Sequence, residues 1–87
     1  MTEWKLEKTE IFDKRFKKLI PKNLQKEVKN QILKLKDNPF KGKPLGYKFF
    51  RELKIKKWRI YFLIYRNKLV VYFIDLSDKK TSTRNNR

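Results

Sequence analysis

Residues 47–76 carry three runs rich in β-branched and aromatic side chains, 47–55 (YKFFRELKI), 58–65 (WRIYFLIY) and 69–76 (LVVYFIDL). Two short turns, Lys56-Lys57 and Asn67-Lys68, separate them, and so close a succession of strand-like runs predicts a three-stranded antiparallel meander. Asn67 is expected to supply the positive φ of the second turn. Counting back from two-residue turns sets the register: Ile55 opposite Trp58, Leu53 opposite Ile60, Arg51 opposite Phe62 and Phe49 opposite Ile64. Across the second turn, Arg66 faces Leu69, Ile64 faces Val71 and Phe62 faces Phe73. Because side chains alternate along a strand, these pairs share one face, which predicts a core floor of Phe49, Leu53, Ile55, Trp58, Ile60, Phe62, Ile64, Leu69, Val71 and Phe73. The other face sets Lys54 across from Arg59 and Glu52 across from Tyr61, with Phe50, Leu63, Tyr65, Tyr72 and Ile74 around them. Two cations directly opposed in a ladder repel each other, so the fold either splays them into water or uses them to hold an anion.

The remaining segments are expected to pack onto this meander. Residues 3–8 alternate, with Trp4 and Leu6 on one side, and predict a short edge strand. Thr9 is placed to cap a helix in which Ile11, Phe12, Phe16, Leu19 and Ile20 recur at helical spacing, with Asp13 near the positive end of the dipole. Pro21 ends it. A second helix, with the stripe Leu24, Val28, Ile32 and Leu35, runs to about Lys36 and stops before Asn38-Pro39. The pair forms a hairpin that covers one face of the sheet, giving an α+β architecture. Residues 38–46 (NPFKGKPLG) read as a loop holding both glycines of the chain. Gly42 and Gly46 are expected in backbone conformations unfavourable to other residues, and Lys41 and Lys43 act as phosphate contacts or as solvated turn residues.

Charge narrows the function. The 87 residues carry 25 Lys or Arg against 9 Asp or Glu, a net charge of +16. The excess is uneven, with 11 cations to 6 acids in residues 1–40 and 14 to 3 in residues 41–87. Solvated lysines account for part of it, but concentration on the meander and tail points to a polyanion or an acidic protein partner. The chain has no cysteine and no histidine, which removes disulfides, most zinc sites and imidazole or thiolate chemistry. It has no stretch of 18 apolar residues, and its N-terminus (MTEWKLEK) has no apolar h-region, so no membrane partner is expected and a cytoplasmic location is. The polar tail 77–87 is either disordered or folds back to bring Lys79, Lys80 and Arg84 over the outer face.

The order of short strand, helical hairpin, NPFKGKPLG loop, basic strand FRELKIKK, WRIYFLIY and a final strand running into a basic tail resembles the RelE/ParE toxin superfamily, closest to the RelE-type mRNA endonucleases. The resemblance spans nearly all of residues 1–87 as one RelE-like toxin domain, and Trp58-Arg59-Ile60-Tyr61-Phe62 is its strongest single match. It implies a type II toxin–antitoxin system in which the toxin cleaves mRNA on the ribosome and is restrained by a RelB-like antitoxin, acidic or amphipathic and helical, in a heterodimer or heterotetramer. Carried over, the basic strand's lysine matches Lys54, with Lys56 less closely placed. The strand arginine matches Arg59, and the C-terminal basic residues match Lys79, Lys80 or Arg84 loosely. No tyrosine follows Tyr72, whereas some members end in a stacking tyrosine. That departure keeps a ParE-like inhibitor of a DNA topoisomerase as an alternative, beside a non-cleaving RNA-binding module.

Metal-free RNA cleavage without histidine still requires a base for the 2′-hydroxyl, charge stabilisation at phosphorus and a proton for the leaving 5′-oxygen. No cofactor is expected. Arg59 suits charge stabilisation because its planar fork holds two non-bridging oxygens. Lys54 adds a second charge or acts as base; Glu52 competes for the base role or merely relieves cation repulsion; Arg84 clamps the leaving group. Lys56, Lys57, Lys79, Lys80, Lys41 and Lys43 are candidate RNA contacts. Tyr61 and Tyr65 are stacking residues or ordinary sheet aromatics.

Overall fold

The computed structural model describes residues 4–78. Two helices pack on one face of a five-stranded mixed sheet. In chain order the elements are β1 (Lys5–Lys8), α1 (Glu10–Leu19), α2 (Lys22–Leu33), β2 (Lys43–Pro44), β3 (Phe50–Ile55), β4 (Trp58–Tyr65) and β5 (Val70–Asp78). Their order across the sheet is β1-β5-β4-β3-β2, with β1 parallel to β5 and the other pairs antiparallel. The meander is therefore as expected, and the loop before it contributes a further strand: Lys43 pairs with Glu52 and Pro44 with Arg51 at the sheet's far edge. Proline is tolerated there because an edge strand has one unpaired side.

Local chemistry fixes the helix ends. The Thr9 hydroxyl accepts a hydrogen bond from Phe12 N at 3.0 Å and donates one to Ile74 O at 3.0 Å, so a single side chain caps α1 and ties it to β5. α2 ends at Leu33 and tightens into a 3₁₀ turn over Lys34–Lys36 before Asn38 caps the next turn through Phe40 N. Helices of 10 and 12 residues are marginal alone in water, so burial against the sheet sustains them. Phe12, Phe16, Ile20, Val28, Ile32 and Leu35 meet Ile55, Trp58, Ile60, Phe62, Ile64, Val71, Phe73 and Leu76 in one core. Each such side chain contributes about 1.5–3 kcal/mol through its removal from water.

Several expectations need correction. Phe49 and Leu69 are 53% and 40% exposed rather than packed: strand pairing ends at Phe50 and Val70, so both stand in turns. Ile11 also faces solvent. The left-handed residue of the second turn is Leu69, φ 55°, and not Asn67; Lys56 takes the same role in the first turn, also at φ 55°. A bulge in β5 lets Phe62 pair with Phe73 while Tyr61 pairs with Asp75, so Ile74 is the extra residue. Beyond it the alternation inverts, which buries Leu76 where simple counting would have turned Asp75 inward.

From the sequence, Arg51's place on the packed face suggests a pairing with Asp75 or a helix carboxylate, and the structure shows neither. Asp75 instead lies 3.4 Å from Arg15 of α1. Arg51 donates to three main-chain carbonyls, Lys48 O at 2.9 Å, Phe40 O at 3.2 Å and Gly42 O at 2.9 Å, and stands over the Phe40 ring. It staples the 40–48 loop to β3. Replacing Arg51 with Met should lower stability by about 1–2 kcal/mol, since a charged donor leaves and part-buried carbonyls lose their partner. Thermal melting checks this, and an unchanged Tm would reject the staple.

Asp13 is held below its ordinary pKa of 3.8, first by the hydrogen bond from Lys8 at 2.9 Å and then by Lys17 at 3.4 Å, against an opposing desolvation. A carboxyl lowered on folding stabilises the native state above its unfolded pKa and loses that contribution as pH falls through the folded value. The denaturant midpoint should therefore drop on acidification below about pH 4, and Asp13→Asn should flatten part of that decline. Parallel acid limbs in the two proteins would remove Asp13 from the effect.

Candidate functional site

The β3–β4 hairpin aims a cluster of charged side chains away from the helices. In the observed register Lys54 faces Arg59, Glu52 faces Tyr61, and β5 continues both rows with Ser77 beside Arg59 and Asp75 beside Tyr61. On the opposite side of β3, Lys43 of β2 completes the row that runs through Glu52. Facing residues on adjacent strands have Cβ atoms about 4.5–5.5 Å apart. The opposed cations expected at Lys54 and Arg59 are therefore present, on the face away from the core.

Together Lys41, Gly42, Lys43, Glu52, Leu53, Lys54 and Arg59 line an open pocket of ≈ 300 Å³. Four of these seven residues are cationic and one is acidic. None of the four cations has a carboxylate within ion-pair distance among the described residues. Arg59 Nε is buried and has no hydrogen-bond acceptor, so packing, and not a carboxylate, orients the guanidinium. A fold that concentrates charge without counter-ions has a surface suited to an incoming anion.

Gly42 makes the pocket's wall. Its φ of −71° is ordinary, contrary to the expectation of an unusual backbone. A Cβ at this position would instead meet Phe62 Cζ at 2.6 Å and Glu52 O at 3.0 Å. Glycine is required because the loop presses directly on the core ring, and that approach sets Lys41 and Lys43 beside β3. Gly46 does take a left-handed conformation, φ 94°, with open space around it.

The structure separates the remaining candidates. Lys56 is engaged by Glu27 at 3.2 Å, and Lys57 by Asp78 at 3.8 Å and the Trp58 ring. Such half-exposed pairs contribute at most about 1 kcal/mol, so both lysines remain exchangeable. The Tyr61 hydroxyl is bound to Ser77 Oγ at 3.1 Å, and its ring neighbours Phe50. Ser77 escaped the sequence reading because the β5 bulge determines which residue stands there. Tyr65 packs near Tyr72, six residues along β4 from Arg59 and thus about 20 Å away; it is not brought to the pocket. Lys79, Lys80 and Arg84 lie outside the described residues.

The same fold occurs in solved toxin structures. A double arginine-to-alanine mutant of the Escherichia coli toxin RelE in the free state superposes with a TM-score of 0.77 at 18% identity, covering 93% of this chain and 88% of that one. The RelBE2 toxin–antitoxin complex of Mycobacterium tuberculosis gives 0.78 at 17% identity, covering 90% and 93%. An archaeal RelE–RelB complex from Pyrococcus horikoshii gives 0.74 at 15% identity, covering 91% and 97%. No curated protein sequence matches the chain. The model of the ParE toxin of type II toxin–antitoxin systems matches residues 6–82, a span that takes in both helices, every strand apart from the first residue of β1, and the whole lining of the cationic pocket, and the chain belongs to that toxin family.

Proposed function

We propose that this protein is the toxin of a type II toxin–antitoxin pair and that it cleaves mRNA on the ribosome by metal-independent attack of a 2′-hydroxyl. The observation that carries this reading is the pocket in which Lys41, Lys43, Lys54 and Arg59, in no ion pair among the described residues, surround one carboxylate. In the proposed step the 2′-oxygen gives up its proton and attacks the adjacent phosphorus. The bond to the 5′-oxygen breaks, leaving a 2′,3′-cyclic phosphate and, once the leaving oxygen takes a proton from water, a 5′-hydroxyl. Arg59 and Lys54 hold the non-bridging oxygens as charge builds. Glu52, in no ion pair among the described residues, receives the 2′ proton. Arg84, which lies outside the described residues, is assigned to the leaving oxygen.

The partner is a RelB-like antitoxin, as in the complexes that the related folds form. It is acidic or amphipathic, to suit the net charge of +16 and the groove of ≈ 480 Å³ that Leu6, Phe12, Phe16, Ile32, Leu33 and Phe73 line with others. A heterodimer or heterotetramer in the cytoplasm follows from this reading.

The match to a ParE family model favours one other reading, a non-enzymatic inhibitor of a DNA topoisomerase. Incubating the protein with programmed ribosomes and mapping RNA ends separates the two. The ribonuclease reading expects cuts with 5′-hydroxyl and cyclic-phosphate ends, and intact RNA both with and without ribosomes would overturn it.

A further inference from the structure

The end of the sheet remote from Arg59 carries a feature that neither folding nor the cationic pocket uses. Tyr47 and Phe49 are 62% and 53% exposed, yet their rings stack with centroids 5.1 Å apart and planes 18° from parallel. Beside them lies a hollow of ≈ 390 Å³ lined by Phe49, Ile64, Tyr65, Arg66, Asn67 and Lys68. The Arg66 guanidinium is held 5.0 Å from the Phe40 ring centroid and makes no ion pair among the described residues. Lys48, Arg66 and Lys68 are the charged residues in 45–50 and 64–70, where no acid occurs.

We propose that this end of the sheet is a second RNA-binding surface, a stacking platform for single-stranded nucleotides that flank those in the Arg59 pocket. The proposal takes its ligand from the ribonuclease reading but stands on separate residues. Parallel exposed rings offer a base a π-face in the geometry that single-strand binding uses, and stacking tolerates any base. Arg66, held over Phe40, and exposed Lys68 are placed for the phosphates on either side of a stacked base. A protein partner fits less well, because the centres of protein interfaces are depleted in lysine, whereas here cations alternate with the aromatic residues. Phe49 O accepts a hydrogen bond from Ile64 N, five residues along β4 from Arg59 and thus about 17 Å away, a span of several nucleotides.

Binding is measured by fluorescence anisotropy with a ten-nucleotide 2′-O-methyl RNA, which has no free 2′-hydroxyl and cannot be cut by the proposed route. The double variant Tyr47→Ala/Phe49→Ala should raise Kd roughly 5- to 150-fold, the range expected for losing one base stack. The aromatic exchange Tyr47→Phe/Phe49→Tyr should bind as the parent does. Arg66→Gln should weaken binding and make the slope of log Kd against log salt shallower by about 0.7, the value for one phosphate contact on a single strand. Circular dichroism verifies folding of each variant, and Arg66→Gln decides the matter if the double variant does not fold. Parental affinity in the double-alanine protein, or in Arg66→Gln if that variant decides, overturns the platform. So does a double variant that keeps its RNA affinity but loses binding to an acidic helical peptide, because the surface then serves a protein. Loss of affinity together with intact mRNA on ribosomes would support the platform and refute the ribonuclease reading; cleavage with parental affinity would do the reverse.

Discussion

Arg59→Ala is expected to slow cleavage of ribosome-bound mRNA by about 10²–10³-fold, the usual consequence of removing one donor aimed at developing charge. The side chain stands in mid-β4, opposite Lys54 and beside Ser77, so a rigid ladder positions its guanidinium. With no carboxylate partner among the described residues, its full charge is available to phosphate. The same arrangement predicts little structural cost. Arg59 lies away from the core, and its loss ends the repulsion across the Lys54 pair, so the circular-dichroism spectrum should not change and Tm should hold or rise slightly. Arg59→Lys should recover only part of the rate, because an ammonium keeps the charge but lacks the fork that grips two oxygens. Single-turnover cleavage on programmed ribosomes measures all three proteins. Full activity in Arg59→Ala would remove this residue from the chemistry, and retained toxicity without cleavage would favour the topoisomerase reading.

The pocket's two central cations were legible because they depend on local rules alone. A two-residue turn at Lys56-Lys57 and period-two alternation are enough to oppose Lys54 to Arg59 and Glu52 to Tyr61. Thr9 and Pro21 likewise act on their immediate neighbours, so both ends of α1 and the start of α2 were legible too, whereas α2 gives way to a 3₁₀ turn at Lys34, short of the expected Lys36. The features that escaped depend on contacts between distant segments. Ile74 bulges out of β5 so that Leu76 reaches the core, and nothing in LVVYFIDL distinguishes that from regular alternation. Arg51 finds carbonyls of a loop whose path is set by packing, whereas its place on the packed face suggests a carboxylate. Phe49 obeys the inward parity, but at the end of the ladder it remains in water. Alternation assigns a face; it does not say how far the cover on that face extends.

Gly42→Ala tests how closely the pocket is tied to the core, and it should lower stability by about 2 kcal/mol. Alanine restricts the unfolded chain and for that reason alone would stabilise by about 0.4–1 kcal/mol, and the φ of −71° imposes no penalty. The new methyl, however, would lie 2.6 Å from Cζ of Phe62, a ring with no exposed surface, and 3.0 Å from a β3 carbonyl. Neither can retreat without disturbing the sheet, and overpacking of this kind costs about 1–3 kcal/mol. A change of this size lowers Tm by roughly 8–16 °C in a domain of this length. Under the proposed mechanism the rate should fall as well, because relief of the clash lifts the loop and carries Lys41 and Lys43 away from Glu52. Gly46→Ala separates this from backbone strain: it places alanine at φ 94° in open space, so it should cost about 1–2 kcal/mol and leave the pocket in place. A double-mutant cycle locates the cause. With Phe62→Leu the ring is gone, and the alanine penalty at position 42 should shrink by more than about 1 kcal/mol, as expected for side chains in direct contact. Additive effects would mean that the loop does not rest on Phe62, and the basis for placing Lys41 and Lys43 at the same phosphate as Arg59 would be lost.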